Sequence, residues 1–236
     1  MKAIIFDIDD TMYDLCWPFK MAVRECFGNI YDDIFESVYV RSRVHSDEIF
    51  EDWVEGKVTS DDMYAYRNQK AFADHNIVIN RDEALEIQRY YKLYQGKISV
   101  TDTIKTMLTE LKDKNVTLGL ISNGGSEHQW AKVHTLGLTE WIPENNILIS
   151  GDTDTAKPDP AIYSLALKKF GIDIKDAWYI GDTYLNDIEA SKKAGWHAVW
   201  FNRRNNPLPA NGPKPEYEVF TEEEMTKLVL ELVSSD

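Results

Sequence analysis

Ala3-Ile4-Ile5-Phe6-Asp7-Ile8-Asp9-Asp10-Thr11 is the stretch on which the reading of this chain turns. Four apolar residues of strand type come first, and such a run suits a strand buried on both faces of a parallel sheet. Three carboxylates and a threonine follow within five residues. Side chains two apart on an extended chain share a face. Asp7 and Asp9 are therefore expected to project together from the strand end, with Ile8 turned into the core. Two like charges that close require a cation or a shared proton. The same residues also suit a helix-capping turn, and this stretch alone supports the site and the turn equally.

Outward from Thr11, the pattern turns helical and stays so to about Gly96. Phe19, Val23, Cys26 and Phe27 mark one short helix. Ile34, Phe35, Val38 and Tyr39 open a longer one that runs, broken or continued near Asp47, towards Gly56. Thr59 with Asp62 has the form of a capping box, and Asn80 is placed to cap a last helix ending at Gly96. This block reads as a small all-helical bundle.

From Val100 onward helices and strands alternate. Ile104, Met107, Leu108 and Leu111 line one helix face. Strands are expected at 116–121, 146–149, 177–180 and 197–201, with an extended piece at 217–220 and a closing helix near 222–233. Asp159 and Pro160 have the residue types of a helix start, and another helix is expected over 185–194. Alternation of this kind means a parallel sheet flanked by helices. The fold class is therefore α/β, a Rossmann-like three-layer core formed by 1–14 and 97–236. Residues 15–96 form a helical cap over the carboxyl edge of the sheet, where such sheets bind ligands.

Composition narrows the function. The chain has 236 residues, 43% of them hydrophobic, enough for a substantial core. Its net charge of -14 argues against nucleic acid and anionic membrane as partners. Cys16 and Cys26 are the only cysteines and form no metal-ligand spacing. No apolar run reaches membrane-spanning length, and the one after Lys2 is too short for a signal peptide. A cytoplasmic protein with reduced thiols, monomer or homodimer, is expected.

The polar residues of interest all fall at strand ends: Asp7 and Asp9, then Ser122 and Asn123, then Lys157, then Asp182 and Asp187. Several carboxylates against one ammonium leave excess negative charge, which a cation would neutralise. An oxygen-only set suits Mg2+. Ser122, nearby main-chain amides at Asn123 and Gly124, and Lys157 then suit the oxygens of a phosphoryl group. Asp7, at the end of the buried strand, is placed as nucleophile. Asp9 is placed as acid and base, a role that needs a pKa above that of Asp7. Asp10 reads as turn. Taken singly, Lys157 reads as a solvated loop lysine, Ser122-Asn123 as a turn, and Asp182 and Asp187 as helix-start residues. Their common position at strand ends favours the site.

With those positions gathered, the chain resembles the haloacid dehalogenase superfamily. Asp7-Ile8-Asp9-Asp10-Thr11 is similar to its first motif, Leu120-Ile121-Ser122-Asn123 to its second, Lys157-Pro158 to its third and Gly181-Asp182 through Asp187 to its fourth. The resemblance implies a helical cap inserted after the first motif and an aspartyl-phosphate on Asp7. It implies Asp9 as acid/base and Thr11 as a supporting hydrogen-bonding residue. Magnesium is implied at Asp7, the Asp9 carbonyl and Asp182. Asp9 favours the phosphatase branch, since members acting on halogenated acids lack it. The expected activity is hydrolysis of a small phosphate monoester, with nucleoside monophosphates among the candidates. A phosphomutase, a dehalogenase and a non-enzymatic regulatory protein are the alternatives.

Other residues are read more plainly. Trp17, Phe50, Trp53, Tyr64, Tyr66, Tyr90 and Tyr91 offer a stacking platform for a base, but bundle core is the favoured reading. His45 and His128 could face substrate, but surface residues are the favoured reading, and Arg203-Arg204 reads as a solvated pair in preference to a phosphate clamp.

Overall fold

The computed structural model describes residues 2–234. The chain divides into two compact units, Met1–Asp14 with Ser99–Asp236, and Leu15–Ile98. In chain order, β1 (Ala3–Phe6) is followed by five helices in the second unit: α1 (Trp17–Phe27), α2 (Phe35–Glu48), α3 (Phe50–Val54), α4 (Ser60–Ala73) and α5 (Arg81–Gln95). The remainder of the first unit is α6 (Asp102–Asp113), β2 (Thr117–Ser122), α7 (Ser126–Thr135), β3 (Ile147–Ile149), α8 (Ala161–Phe170), β4 (Ala177–Gly181), α9 (Ala190–Lys193), β5 (His197–Phe201), β6 (Tyr217–Val219) and α10 (Glu222–Ser234).

The six strands form one sheet in the order β3-β2-β1-β4-β5-β6, every pairing parallel. This is an α/β Rossmann-like core. All four residues of β1 are buried, as expected for the central strand of a covered parallel sheet. Strand order reverses direction at β1, so the crevice beyond the carboxyl ends of β1 and β4 is the switch point where such sheets take ligands. Gly119 in β2 is required by packing: a Cβ there would lie 2.8 Å from Ile5 Cδ1 and 3.0 Å from both Asn146 O and Phe170 Cε2.

In the helical unit, the expected capping boxes form at Thr59 with Asp62 and at Asn80 with Glu83. Phe19, Val38, Tyr39, Phe72, Ile87 and Tyr91 are among the residues of its buried core. The aromatic residues divide. Tyr91 is buried in that core and Tyr90 packs on it, whereas Phe50 and Trp53 are exposed. The segment after Phe35 is two helices, broken at Ile49.

The expected helix at 185–194 is a wide π-helical turn, Tyr184–Glu189, running into α9. Insertions of this kind recur at functional sites. Here the turn carries Asp187, whose carboxylate is held from two sides as described below. Among the described residues, no helix is long and apolar enough to cross a membrane.

Candidate active site

Lys157 is the hub of the carboxyl edge. Its Nζ donates to Asp7 Oδ1 at 2.6 Å, Asp187 Oδ1 at 2.7 Å and Tyr179 Oη at 3.1 Å. All three charged side chains are buried. Tyr179 Oη donates in turn to Ile121 O at 2.8 Å, and its ring meets that of Tyr163 edge-on at 5.0 Å. The lysine thus stands on an aromatic floor. Burial alone would lower its pKa, but the charges of Asp187 and Asp7 outweigh burial and hold it far above the usual lysine value. The bland reading of Lys157 as a solvated loop residue does not describe it.

Asn123 fixes where Lys157 sits. Its Nδ2 donates to Lys157 O at 2.7 Å, and its Oδ1 accepts from Lys157 N–H at 2.9 Å. Sequence reading placed Asn123 among the phosphate-holding groups. In the structure both ends of its side-chain amide are committed to the Lys157 main chain, so the side chain acts as a bracket for that loop, and these bonds do not use the main-chain amide named for that role. Ser122, at the end of β2, is 1% exposed, and its Oγ has no hydrogen-bond partner. A buried hydroxyl without a partner is costly, and this one lies at the strand end where a ligand oxygen would satisfy it. Thr11 Oγ1 is likewise buried without a partner.

Asp7, Asp182 and Asp187 each offer a carboxylate oxygen, and these atoms lie within 4.8 Å of one another. Asp7 continues the β1–β4 pairing, its N–H donating to Ile180 O at 2.9 Å. Asp187 Oδ2 accepts from Thr183 N–H at 2.9 Å while its Oδ1 takes Lys157, so both of its oxygens are engaged. That approach needs Gly181, where a Cβ would fall 2.5 Å from Asp187 Cγ. Burial, with the nearby carboxylates against one ammonium, pushes the Asp7 carboxyl up to about 7. The same causes raise Asp182 well above its ordinary value. An all-oxygen donor set carrying more negative charge than its one lysine can match fits a hard divalent cation such as magnesium.

Asp9 goes elsewhere. Lys132 Nζ donates to both of its carboxylate oxygens at 2.7 Å, Tyr13 Oη to Oδ1 at 2.6 Å and Gln129 Nε2 to Oδ2 at 3.1 Å. Burial would raise this carboxyl, but the Lys132 charge and these hydrogen bonds outweigh it, and its pKa falls below the ordinary value. The order expected from sequence, Asp9 above Asp7, is reversed in this arrangement. The physical reason is that Asp9 has an ammonium to itself, whereas Asp7 shares one. The three-carboxylate cluster contains Asp187 and not the Asp9 carboxylate; the Asp9 group in the sequence-derived ligand set is its main-chain carbonyl, which a cluster of carboxylates does not address. The turn that redirects the chain is visible in Ile8 O, which accepts from Met12 N–H at 2.9 Å.

Lys132, Gln129 and Tyr13 were not identified from sequence. One signal was available: Gln129, Lys132 and Val133 share a face of α7, continued by Leu136 just past its end, and Gln129 is a polar residue buried on it. Asp10 has φ 58° and forms the turn, but it also binds Arg204, whose Nε and Nη2 donate to its two oxygens at 2.9 and 2.6 Å. Arg204 reaches Asp14 as well, at 2.7 Å, and Arg203 pairs with Glu222 at 2.7 Å. The two arginines are therefore tied into the first-motif turn and α10 and are not a solvated pair. His45 is buried between Glu48 and Asp74 and is not a surface residue, whereas His128 is exposed.

A family model described as haloacid dehalogenase-like hydrolase matches residues 1–195. The chain is 25% identical over 201 residues to glyceraldehyde 3-phosphate phosphatase of Pyrococcus abyssi, covering 85% of this chain and 81% of that one. It is 27% identical over 240 residues to N-acylneuraminate-9-phosphatase of Mus musculus, covering 97% and 94%. Among solved structures, the magnesium-bound YfnB of Bacillus subtilis aligns with a TM-score of 0.65 at 21% identity, covering 97% of this chain and 98% of the other.

Proposed function

The chain belongs to the haloacid dehalogenase-like hydrolase family, and on that premise we propose that it is a magnesium-dependent phosphatase of small phosphate monoesters. The observation that carries this reading is the buried Asp7–Lys157–Asp187 group beside the unpartnered Ser122 hydroxyl. It combines a carboxylate nucleophile, a fixed cation and a donor for a phosphoryl oxygen within one strand-end crevice. The relatives named for glyceraldehyde 3-phosphate and N-acylneuraminate 9-phosphate support a small phosphorylated metabolite as substrate.

Asp7 Oδ2 has no hydrogen-bond partner among the described residues, while Oδ1 is held by Lys157. In this reading an Asp7 oxygen attacks phosphorus as the bond to the leaving oxygen breaks, giving an aspartyl-phosphate. Ser122 and Lys157 hold phosphoryl oxygens, and the bracket from Asn123 keeps Lys157 in place. Asp9 supplies a proton to the departing oxygen and then takes one from the water that displaces Asp7 from phosphorus. The lowered pKa of Asp9 favours its ionised form, which the second step requires. Before the first, it must gain a proton, which an activated leaving group does not need. Asp7 and Asp182, with the Asp9 carbonyl, would hold magnesium, and Asp187 would act through Lys157. Magnesium there supplies positive charge against the transferring phosphoryl group. Thr11 supports the first-motif turn. We assign substrate selection to the helical unit as a cap.

The test is hydrolysis of an aryl phosphate with magnesium and with EDTA, followed by a panel of phosphate monoesters. Turnover is expected only with the metal and is expected to vanish in Asp7→Asn. Metal-independent turnover, or full activity of that variant, would overturn the assignment.

A further inference from the structure

The chain carries 40 acidic against 26 basic residues, so an arginine without a carboxylate is unusual in it. Six arginines lie between residues 15 and 98. Four are ion-paired: Arg24 with Asp32, Arg41 with Asp74, Arg81 with Asp62 and Arg89 with Glu86. Among the described residues, Arg43 and Arg67 have no such partner. These two are also close enough to each other for the charge of Arg43 to act on Arg67.

Arg67 is the more demanding case, because it is 7% exposed. Its Nη2 donates to Gln88 Oε1 at 2.6 Å, its Nη1 reaches Ser46 Oγ at 3.4 Å, and its guanidinium lies 5.1 Å from the centre of the Tyr64 ring. Its Nε is buried with no partner at all. Every acceptor is neutral, so the positive charge is uncompensated in a buried place, and breaking or omitting one half of a buried ion pair is strongly unfavourable. Burial and the repulsion of Arg43 both push the guanidinium pKa down. Arg43 stands three residues before Ser46 on α2, the spacing that puts two side chains on one helix face. Arg67 of α4 thus meets a hydroxyl from α2 and an amide from α5, Arg43 of α2 is near enough to act on its charge, and among the described residues neither arginine has a side-chain carboxylate as partner.

We propose that Arg67 and Arg43, with Ser46 and Gln88, form a receptor for a compact oxyanion, the carboxylate or phosphate group of a small molecule. A guanidinium fork presents paired donors that match two oxygens of such a group. The anion would replace the neutral Gln88 carbonyl as the acceptor, satisfy the free Nε, and remove the repulsion between the two arginines. The site lies wholly within the helical unit, and the proposal does not depend on the phosphatase reading.

The test follows the arginine Nε–H signals of the full chain by nitrogen-15 NMR, the Arg67 signal being assigned by its loss in Arg67→Lys. Inorganic phosphate and malonate are titrated separately, with sodium chloride at matched ionic strength as control. The Arg67 signal is expected to shift saturably with phosphate, malonate or both, which distinguishes the two oxyanion types, and not with chloride. Arg43→Gln, an exposed position that should leave folding intact, is expected to weaken binding at least about tenfold, which corresponds to about 1.4 kcal/mol. A signal unmoved by both anions, one that follows chloride equally, or unchanged affinity in Arg43→Gln would overturn the proposal.

Discussion

Replacing Lys157 with Met should destabilise the α/β unit far more than a typical charge removal. The side chains of Lys157, Asp7 and Asp187 are 4%, 7% and 1% exposed, so solvent screens none of them well. At an effective dielectric of about 20, each contact of about 2.7 Å contributes about 6 kcal/mol of gross attraction. Desolvating the ions offsets several kcal/mol for each. Methionine fills the volume of the lysine stem but leaves two carboxylates buried without their cation, and the net loss for such a change is about 3–5 kcal/mol. Urea unfolding in EDTA measures it, with Trp178, Trp196 and Trp200 reporting from the same unit. The loss should depend on pH. In the variant, Asp7 would sit still further above its unfolded value of 3.8. A carboxyl raised on folding imposes its penalty fully above its folded pKa, and the penalty is relieved as pH falls towards the unfolded value. The double variant Lys157→Met/Asp187→Asn removes one of the two orphaned charges and should recover part of the loss. A loss below about 1 kcal/mol at neutral pH, comparable to a surface ion pair, would refute the buried-hub argument.

Two further predictions concern other charges. Lys132→Met should lower turnover about 100-fold, the lower end of what general acid–base catalysis contributes, with KM little changed; Lys132→Arg should restore part of it, and steady-state kinetics on an alkyl phosphate measures both. His45 is buried between Glu48 and Asp74, and although burial alone would lower its pKa, those two carboxylates hold it above 6.5. Its contribution to stability should therefore be fully present below 6.5 and lost as pH rises through the folded value. Urea unfolding of the wild type and His45→Gln across that range should show the wild-type advantage shrinking towards alkaline pH, and a constant difference would sink the idea.

The parallel core was legible because its signals are local and repeated. Val116 to Ile121 and Ala177 to Ile180 are apolar runs that end at polar residues, and a buried parallel strand has no other simple sequence form. The strand-end residues Asp7, Ser122, Lys157, Asp182 and Asp187 could be gathered because parallel topology puts strand ends on one edge. Their partners could not. Which ammonium meets which carboxylate depends on rotamers and on the turn at Ile8, over separations such as the 123 residues between Asp9 and Lys132. The same limit hid the Arg204–Asp10 contact, which joins residues 194 apart in the chain. His45 was misread for a related reason. Burial of a single helix position follows from how α2 packs in the bundle, and a lone histidine carries no periodic signal of its own.

The motif-one pair shows why partner choice, more than spacing, sets the chemistry. Asp7 and Asp9 are two residues apart and both are largely withdrawn from water, so burial alone would raise both. What separates them is the ratio of cations to carboxylates. Asp7 shares Lys157 with Asp187 and stands near Asp182, so its surroundings are short of positive charge. Asp9 has Lys132 to itself and two neutral donors besides. A divalent cation held by Asp7 and Asp182 with the Asp9 carbonyl would therefore act mainly on the carboxylate of one member of the pair, Asp7. It would lower Asp7 towards the ionised form a nucleophile requires, while Asp9 would continue to be governed by α7. Environments that push the pKa values of neighbouring carboxyls apart are how two such groups take different roles. In this protein the two environments belong to different elements, the loop before α8 for Asp7 and the buried face of α7 for Asp9, so substitutions can address one carboxylate without the other.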